Sequence, residues 1–452
     1  MTTSHTSFDP APFASRRQRL LASMQAAGGG IAILPTAPEA ARNRDTHYPY
    51  RHDSYFYYLT GFGEPESVVV LIAASKDSPS RSILFCRAKH EEREIWDGFR
   101  HGPAAACNTF GTDEAYAIDE LDSMLPGLLA GQPKLFYSMG FDSAFDARMV
   151  TAINSVRGMV RAGLSAPPAS VDVRTMLDAM RMVKDATELG IMREAASIST
   201  EAHKRAMRAT RPGRREFEIE AELLHAFRSA GSEYPAYGSI VASGANACVL
   251  HYVANNAELK PGDLLLIDAG CELRSYASDI TRTFPVDGKF SGPQKALYEL
   301  VLAAQSAARA ATKPGAPYNT PHEAAVRVLA QGMIDHGLVA GSLDAVLEQG
   351  NKREGGYFRH YMHRTGHWLG MDVHDAGPYK REDGQEWLPL QPGNVVTIEP
   401  GIYVRPAPDV PEAFWNIGIR IEDDALLTED GCDFLTEDCP RTVNDIEAWM
   451  RG

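Results

Sequence analysis

The chain has 452 residues, of which 44% are hydrophobic and 23% charged, and its formal net charge is −14. This length favours two or three domains with sizeable cores, and the composition excludes a disordered or fibrous protein. The acidic balance disfavours nucleic-acid partners, because a surface that follows phosphates needs clustered lysine and arginine.

The cysteines and the amino terminus both favour the cytoplasm. The six cysteines include no Cys-x-x-Cys pair and show no regular spacing, so we expect free thiols in a reducing compartment. Residues 1–10 lack the basic region and apolar run of a signal peptide. No apolar run of the length that spans a membrane occurs, so we expect no membrane partner.

The first part of the chain alternates a helical pattern with short apolar runs. The helical pattern covers Arg16–Ala27. The apolar runs, each short enough for a buried strand, are Ile31–Leu34, Val68–Ile72 and Ile83–Phe85. This alternation predicts an amino-terminal α/β domain.

A proline-rich segment suggests where that domain ends. Residues 165–170 read Ser-Ala-Pro-Pro-Ala-Ser, which cannot continue a helix or a central strand. We therefore predict an amino-terminal domain over residues 1–170 and a carboxy-terminal domain over residues 171–452.

The second domain is predicted to begin with helices and to continue mainly as strands. Helical spacing occurs at Val173–Met182, Ala186–Arg211, Glu216–Ser229, Gly292–Ala311 and Pro321–Gly337. Strand-like segments are Ser239–Ala242, Leu264–Ala269, Ser278–Phe284, Val395–Ile398 and Gly418–Leu427. This order suits a curved antiparallel sheet with helices on its outside.

Four carboxylates and one imidazole lie in or beside these strand-like segments. They are Asp268, Asp279, His367, Glu399 and Glu422. An oxygen-rich set with one nitrogen suits divalent ions such as Mn(II) or Co(II), and four carboxylates would neutralise two of them. Any one of these acids alone is more often a turn or cap residue. Several acids on buried faces are costly unless they are paired or metal-bound, so together they predict a two-metal hydrolytic site.

Strand spacing predicts how some of these acids meet. A hairpin centred between Leu273 and Arg274 would place Asp268 directly opposite Asp279 on one face. No Asn-Gly or similar pair fixes a turn there, so this register is an inference from the chemistry.

A second pair of polar residues is two positions apart. Arg420 and Glu422 would share one face of the segment Gly418–Leu427, while Ile419 and Ile421 face the opposite side and pack under helices.

The histidines between these strands do not form a helical zinc motif. His363 and His367 are four apart and His374 follows, but Gly366 and Gly370 interrupt the segment and no His-Glu-x-x-His occurs. An extended or looped backbone fits this spacing better.

Several of these segments resemble the aminopeptidase P, or bacterial Xaa-Pro aminopeptidase, family of metallopeptidases. The matching runs are Leu-Ile-Asp-Ala-Gly-Cys at 266–271, Asp-Ile-Thr-Arg-Thr-Phe at 279–284, Met-His-Arg-Thr-Gly-His-Trp-Leu-Gly-Met-Asp-Val-His at 362–374, Thr-Ile-Glu-Pro-Gly at 397–401 and Gly-Ile-Arg-Ile-Glu-Asp at 418–423. Residues 48–62 also resemble the amino-terminal domain of that family, so the likeness spans nearly the whole chain.

The resemblance implies a carboxy-terminal pita-bread catalytic domain with two divalent ions, Mn(II) being expected. By this analogy Asp268 binds one metal, Asp279 and Glu422 bridge both, and His367 and Glu399 complete the other site. The nucleophile would be a metal-bridging hydroxide. Glu399 would also act as general base and general acid.

The resemblance also assigns residues around the substrate. His374 would donate to the developing oxyanion, and His251 and His363 would line the pocket around the proline ring and the scissile carbonyl. The alternative for these two is that they are ordinary buried histidines. These three histidines and Glu399 form the predicted catalytic set.

Three further residues are predicted to contact the substrate. Tyr237 and Arg420 resemble pocket residues, although Arg420 could instead hold a ligand carboxylate by a charge-assisted hydrogen bond. Asp45 would reach the site from the other domain to meet the substrate's free amine. The resemblance further implies a homo-oligomer, either a dimer or a tetramer, in which Trp96 contacts a neighbouring subunit or packs locally.

The implied reaction is removal of the first residue from peptides with proline in the second position. Two alternatives remain open at this point. A prolidase would use the same metal chemistry but accept only Xaa-Pro dipeptides. A non-catalytic pita-bread module would bind a partner, although the known examples have lost metal ligands and all five are present here.

Overall fold

The structure is a computed structural model that describes residues 8–75 and 78–452. Residues 1–7, which carry most of the predicted polar terminus, lie outside the described residues. The described chain divides into two compact units between Ala179 and Met180. The segment 165–170 leads into a short strand of the first unit, and the domain boundary at residue 170 stays a prediction.

The amino-terminal unit alternates helices and strands, as predicted. Its helices are α1 (Ala11–Ala26), α2 (Ser54–Thr60), α3 (Glu91–Asp97), α4 (Gly102–Phe110), α5 (Leu121–Leu129) and α6 (Ser143–Gly158). Its strands are β1 (Ile31–Pro35), β2 (Ala41–Asn43), β3 (Thr46–His47), β4 (Val68–Ile72), β5 (Arg81–Cys86), β6 (Glu114–Ala117), β7 (Leu135–Phe136) and β8 (Ser170–Val171). Short 3₁₀ turns cover Ile118–Glu120 and Val160–Ala162.

The main sheet of this unit is mixed. In the part of the chain that is described, its strand order is β6-β5-β4-β1-β7-β8, with β1, β4 and β5 antiparallel and the other neighbours parallel. All residues of β4 are buried, which explains why this strand is a continuous apolar run rather than an alternating one.

Helix α7 (Arg174–Met182) crosses the division between the units, and the carboxy-terminal unit follows. Its helices are α8 (Ala186–Ala209), α9 (Glu216–Ser229), α10 (Gly292–Ala311), α11 (Thr320–Asp335), α12 (Leu343–Asn351) and α13 (Val443–Arg451). Helix α8 begins with a capping box, in which Asp185 accepts from the Glu188 amide and Glu188 accepts from the Asp185 amide.

The strands of the carboxy-terminal unit are short. They are β9 (Tyr234–Pro235), β10 (Ile240–Ser243), β11 (Leu264–Asp268), β12 (Cys271–Leu273), β13 (Tyr276–Ala277), β14 (Thr281–Pro285), β15 (Val395–Ile398), β16 (Gly401–Val404), β17 (Ile417–Arg420), β18 (Asp423–Leu427) and β19 (Cys432–Phe434). Short 3₁₀ turns cover Gly244–Cys248, Gly356–Arg359 and Glu412–Phe414.

The strands pair antiparallel throughout, as predicted for this unit. The pairings run β10-β11-β14, β13-β12-β9, β15-β18-β19 and β16-β17. One core cluster joins strand residues such as Ile267 and Ile419 to Leu297 and Val301 of α10 and Leu223 of α9. The apolar strand faces therefore pack against the helices and leave the polar faces for a site.

The predicted hairpin register is wrong by two residues, because the partner of Asp268 is not Asp279. Asp268 pairs with Thr281, and the turn consists of Arg274 and Ser275, whose φ angles are 47° and 68°. Asp279 therefore lies beside Gly270, diagonal to Asp268 on the same face. A Cβ at Gly270 would lie 1.7 Å from the Ser278 carbonyl oxygen, so this close approach requires glycine.

The predicted strand Gly418–Leu427 is two strands, because β17 ends at Arg420 and β18 begins at Asp423. Between them Glu422 forms an isolated bridge with Thr281, whose carbonyl accepts from the Glu422 amide at 3.0 Å. Ile419 and Ile421 are fully buried in the core cluster, as predicted. The break therefore places Glu422 beside the first residue of β14.

Candidate active site

One cavity of about 1270 Å³ in the carboxy-terminal unit gathers ten of the eleven predicted site residues. They are Tyr237, His251, Asp268, Asp279, His363, His367, His374, Glu399, Arg420 and Glu422. The strand ends place most of the carboxylates: Asp268 ends β11, Glu399 directly follows β15, and Glu422 lies between β17 and β18.

Asp268 and Asp279 share one hydroxyl group. The Tyr237 hydroxyl lies 2.6 Å from Asp268 Oδ1 and also contacts Asp279 Oδ1. A phenol has a single proton to donate, so one of the two contacts leaves a carboxylate oxygen facing another oxygen. Burial and the charges of the two carboxylates raise the pKa of Tyr237 well above its usual value, which keeps the phenol protonated.

Asp279, His367 and Glu422 form a compact cluster. One ligand atom from each lies within 4.8 Å of the other two, and His367 Nε2 lies 3.4 Å from Asp279 Oδ2. Glu399 Oε1 is 3.7 Å from the same nitrogen. This spacing is what several residues sharing one cation require.

The position of Glu399 depends on the loop that carries the histidines. The Glu399 amide donates to the Thr365 carbonyl at 2.9 Å, and His363 Nδ1 lies 3.5 Å from Glu399 Oε2. Gly366 permits this docking, because a Cβ there would lie 2.0 Å from the Thr397 carbonyl oxygen. The predicted extended or looped backbone at 363–374 is confirmed, since the segment contains no helix.

The electrostatics of the cavity favour bound cations. Burial, and then repulsion from Asp279 and neighbouring acids, raise the pKa of Glu422 well above its usual value. Burial raises the pKa of Glu399 to about 7 and also raises that of Asp268. Burial lowers the pKa of His367, but Asp279 and Glu399 outweigh it and bring that pKa to about 9. This oxygen-rich set has four largely buried carboxylates and only one imidazole to neutralise them. The residues therefore fit divalent metal ions.

Arg420 connects three polar side chains beside the cavity. Its guanidinium donates to Asp268 Oδ2 at 2.6 Å, to the Tyr403 hydroxyl at 2.8 Å and to Thr281 Oγ1 at 3.1 Å. Thr281 in turn donates to Glu422 Oε2 at 2.6 Å. These contacts match the alternative in which Arg420 holds a ligand carboxylate.

Two residues that contact this network were not predicted from the sequence. The Tyr403 hydroxyl forms a 2.9 Å hydrogen bond with His363 Nε2, and burial raises the pKa of Tyr403 to about 12. Asp424 accepts from the Asp279 amide at 3.1 Å. The sequence signal that could have identified these two residues is their spacing. Tyr403 is two residues beyond Gly401, and Asp424 is two residues beyond Glu422.

The three remaining histidines sit in different environments. The His374 ring packs edge-on against His367 at 4.2 Å, and burial lowers its pKa. Burial lowers the pKa of His363 to about 3, so this ring is neutral. His251 is exposed in a turn on the cavity wall, which argues against an ordinary buried histidine at that position.

The loop that carries His251 is held by a buried carboxylate. Glu216, at the start of α9, accepts from the Ser243 amide at 2.7 Å, the Tyr252 hydroxyl at 2.8 Å and the Ala257 amide at 2.9 Å. Both ends of the loop are therefore attached to one side chain.

Asp45 is the predicted site residue that this cavity does not include. It is exposed in the turn between β2 and β3 of the amino-terminal unit. Its contact with a substrate amine stays a prediction.

Family models match both parts of the chain. Metallopeptidase family M24 matches residues 190–429, and the aminopeptidase P amino-terminal domain matches residues 13–137. Among curated proteins, an Xaa-Pro aminopeptidase of Escherichia coli is 41% identical over 438 residues, which cover 97% of each chain. Xaa-Pro aminopeptidase 3 of Rattus norvegicus is 34% identical and matches 96% of this chain and 85% of that protein.

Solved structures give the same result. The aminopeptidase PepP of Pseudomonas aeruginosa superposes with a TM-score of 0.94 at 47% identity over 98% of both chains. A variant of Escherichia coli aminopeptidase P in complex with substrate superposes with a TM-score of 0.93 at 39% identity over 99% of both chains. The two-domain architecture of this chain is therefore that of the aminopeptidase P structures, with the pita-bread fold in the carboxy-terminal unit.

Proposed function

The chain belongs to metallopeptidase family M24, and we propose that the cavity described above is its active site. The enzyme is an Xaa-Pro aminopeptidase, a metal-dependent exopeptidase that releases the first residue from peptides with proline in the second position. The observation that carries the proposal for the site is the convergence of Asp268, Asp279, His367, Glu399 and Glu422 on one cavity.

Binding of divalent metal agrees with the family and with the charge of the cavity. We propose two ions, with Mn(II) as the metal used, held by those five residues. The Zn-substituted form of Escherichia coli aminopeptidase P was solved with product, so a related protein holds a divalent metal. When bound, such ions supply a water of lowered pKa and polarise the scissile carbonyl.

Glu399 is the residue that we assign to proton transfer. It takes a proton from the attacking water as the oxygen adds to the carbonyl carbon. It then delivers that proton to the proline nitrogen as the carbon–nitrogen bond breaks, so the proton count balances. Without cations, burial raises the pKa of Glu399 to about 7, and a bound divalent ion would lower it by favouring the carboxylate.

We assign His374 to the developing oxyanion, as a donor beside His367. His363 and His251 line the part of the cavity assigned to the proline ring and the scissile carbonyl. Proline has no N–H to offer and restricts its own backbone, so peptidases that read an extended N–H pattern fit it poorly. A shaped pocket with histidine donors can accept it.

Tyr237 and Arg420 are proposed to support the ligand carboxylates and to border the substrate. The hydrogen bonds that Tyr237 and Arg420 donate to Asp268 are the basis for the supporting role. Asp45 is proposed to bind the free amine of the substrate.

We further propose a cytoplasmic homo-oligomer, a dimer or a tetramer. Helix α3 carries Ile95 and Trp96, each 80% exposed, and Phe99 follows at 66%. Apolar side chains that are this exposed commonly mark a protein interface, so packing of Trp96 against its own unit is not supported. Among the residues described, no helix combines the length and apolarity needed to span a bilayer.

The experiment compares an Xaa-Pro-Yaa tripeptide with the Xaa-Pro dipeptide, using chelator-treated enzyme before and after addition of Mn(II). We expect metal to restore release of the first residue from the tripeptide. Cleavage of the dipeptide alone would move the assignment to a prolidase. No cleavage of either peptide with any metal would favour the non-catalytic binding module.

A further inference from the structure

The wall of the active-site cavity carries cations that the proposed reaction does not use. Arg353, Arg364 and Lys380 all line the cavity and all are exposed. Within residues 8–75 and 78–452, none of the three lies within 4.0 Å of a carboxylate, although the chain as a whole is acidic. We call these three residues the basic wall.

Aromatic rings hold the basic wall together. The Arg364 guanidinium carbon lies 4.9 Å from the centre of the Trp387 ring, and Lys380 Nζ lies 4.8 Å from the same centre. Burial raises the pKa of Tyr357, and the charges of Arg364 and Arg353 oppose that rise, so both guanidinium groups lie near one phenol. Cation–π contacts hold a side chain without neutralising it, so each charge stays available to a ligand.

Other contacts of the wall are with neutral groups. Arg364 donates to the side-chain oxygen of Asn319, and Lys380 donates to the Gly384 carbonyl at 3.1 Å. Arg353 lies against the Phe358 ring, 5.5 Å from its centre. These partners carry no negative charge, so they leave the charge of the cations uncompensated.

The wall begins beside the residues assigned to the leaving group. Arg364 lies between His363, whose ring is 3.5 Å from Glu399, and Thr365, whose carbonyl accepts from the Glu399 amide. Because Glu399 is assigned to the proline nitrogen, the peptide beyond proline extends from this point. This step rests on the proposed function.

We propose that the basic wall selects peptides that carry a carboxylate just beyond the proline. The planar fork of an arginine matches a carboxylate, and Lys380 adds a point charge. Two sources share this chemistry: an acidic side chain in the third residue, or the terminal carboxylate of a tripeptide. In either case the carboxylate would lose its hydrating water and bind the same three cations.

The test uses two matched peptide pairs with metal-loaded enzyme. The first pair is amidated Ala-Pro-Glu-Ala and Ala-Pro-Gln-Ala, and the second is Ala-Pro-Ala with a free or an amidated carboxyl terminus. We expect kcat/KM to be about three- to tenfold higher for the charged member of at least one pair, mainly through KM, and to fall towards the neutral member at high salt. The pair that responds identifies the source of the carboxylate.

Variants distinguish the loss of a basic-wall cation from a general loss of enzyme activity. Arg364→Gln and Lys380→Gln should each reduce the preference, while Arg364→Lys should retain part of it. Arg381→Gln is the matched control, because Arg381 directly follows Lys380 but is paired with Glu386 at 3.0 Å. It should leave the preference unchanged.

A preference below twofold in both pairs, or one that Arg364→Gln and Lys380→Gln leave intact, would overturn the proposal. Calorimetry with the product-like amidated dipeptides Pro-Glu and Pro-Gln measures the same preference without turnover. Failure to cleave any of the four peptides would count against the proposed function, whereas cleavage of all four without a preference in either pair would count against the basic wall alone.

Discussion

Arg420 and Asp268 form an ion pair with an Nη2–Oδ2 distance of 2.6 Å, and their side chains are only 5% and 13% exposed. The pair leaves Asp268 Oδ1 facing the Tyr237 hydroxyl, whose single proton is shared between Asp268 and Asp279. Because buried charges are costly when unpaired, the orientation of Asp268 depends on this arginine.

Arg420→Lys should therefore weaken the site while keeping its charge. A lysine ammonium cannot reach Asp268, Tyr403 and Thr281 together with the geometry of a guanidinium. We expect kcat/KM to fall about 10- to 100-fold, with a parallel loss of metal affinity. Metal titration beside tripeptide kinetics checks this. Activity equal to that of the unmodified enzyme would show that the network is dispensable.

Glu399→Gln should remove proton transfer and disturb the folded structure little, because the amide has nearly the same shape. We expect turnover of an Xaa-Pro tripeptide to fall about 10²- to 10⁴-fold at saturating metal. Unfolding curves of the two proteins serve as the control. If turnover persists at saturating metal, Glu399 has no part in the proton transfer.

Removal of metal should affect stability as well as activity. Without cations, Glu422, Asp268 and Glu399 face one another in a buried cavity, which favours their neutral forms. Chelation should abolish cleavage, and added Mn(II) should raise the thermal midpoint in proportion to the logarithm of metal concentration. Scanning calorimetry over a metal series tests this, and a midpoint independent of metal contradicts it.

Gly366→Ala should impair the site without altering any side chain in it. The new methyl group would meet the Thr397 carbonyl and displace the loop that carries His367. We expect loss of metal affinity and of most activity. Gly190→Ala is the control, because a Cβ there meets nothing within 4 Å and lies within helix α8. A normal metal affinity in Gly366→Ala would show that the loop tolerates displacement.

Glu216 should make stability depend on pH in the acid range. Burial alone would raise the pKa of Glu216, but hydrogen bonds from Ser243 and Ala257 outweigh it and lower the pKa below the usual 4.5. The stabilisation is therefore complete above about pH 4.5 and is lost as pH falls through the folded-state pKa.

Glu216→Gln replaces one acceptor oxygen with a donor facing backbone amides. It should cost about 1–3 kcal/mol of unfolding free energy at pH 7, with a smaller difference from the unmodified enzyme at pH 3.5. Urea unfolding at both pH values measures this, with Glu220→Gln on the same helix as the control. A cost that does not change with pH would mean that the charge of Glu216 is not what stabilises the loop.

The elements with strong apolar patterns were predicted closely from the sequence. Val68–Ile72, Glu216–Ser229 and Val395–Ile398 have the bounds that hydrophobic spacing indicates. The register of the hairpin could not be obtained in this way. Its turn uses Arg274 and Ser275 in the left-handed region without a glycine or asparagine to mark it.

The remaining differences come from tertiary pairing. An apolar alternation runs through Ile421 and Glu422 without a break, yet the chain leaves one strand and enters another there because Glu422 bridges to Thr281. Tyr403 escaped prediction because its neighbours in sequence are apolar. Its contact with His363 exists only once β16 has paired with β17.

The bridge between Thr281 and Glu422 joins positions that are far apart along the chain. A ribosome must therefore synthesise nearly the whole carboxy-terminal unit before Asp279 and Glu422 can come together. Contacts of such long sequence separation form late and slowly. A nascent or truncated chain that ends before residue 399 lacks both Glu399 and Glu422, so under the proposed ligand set it would bind metal poorly until synthesis is complete.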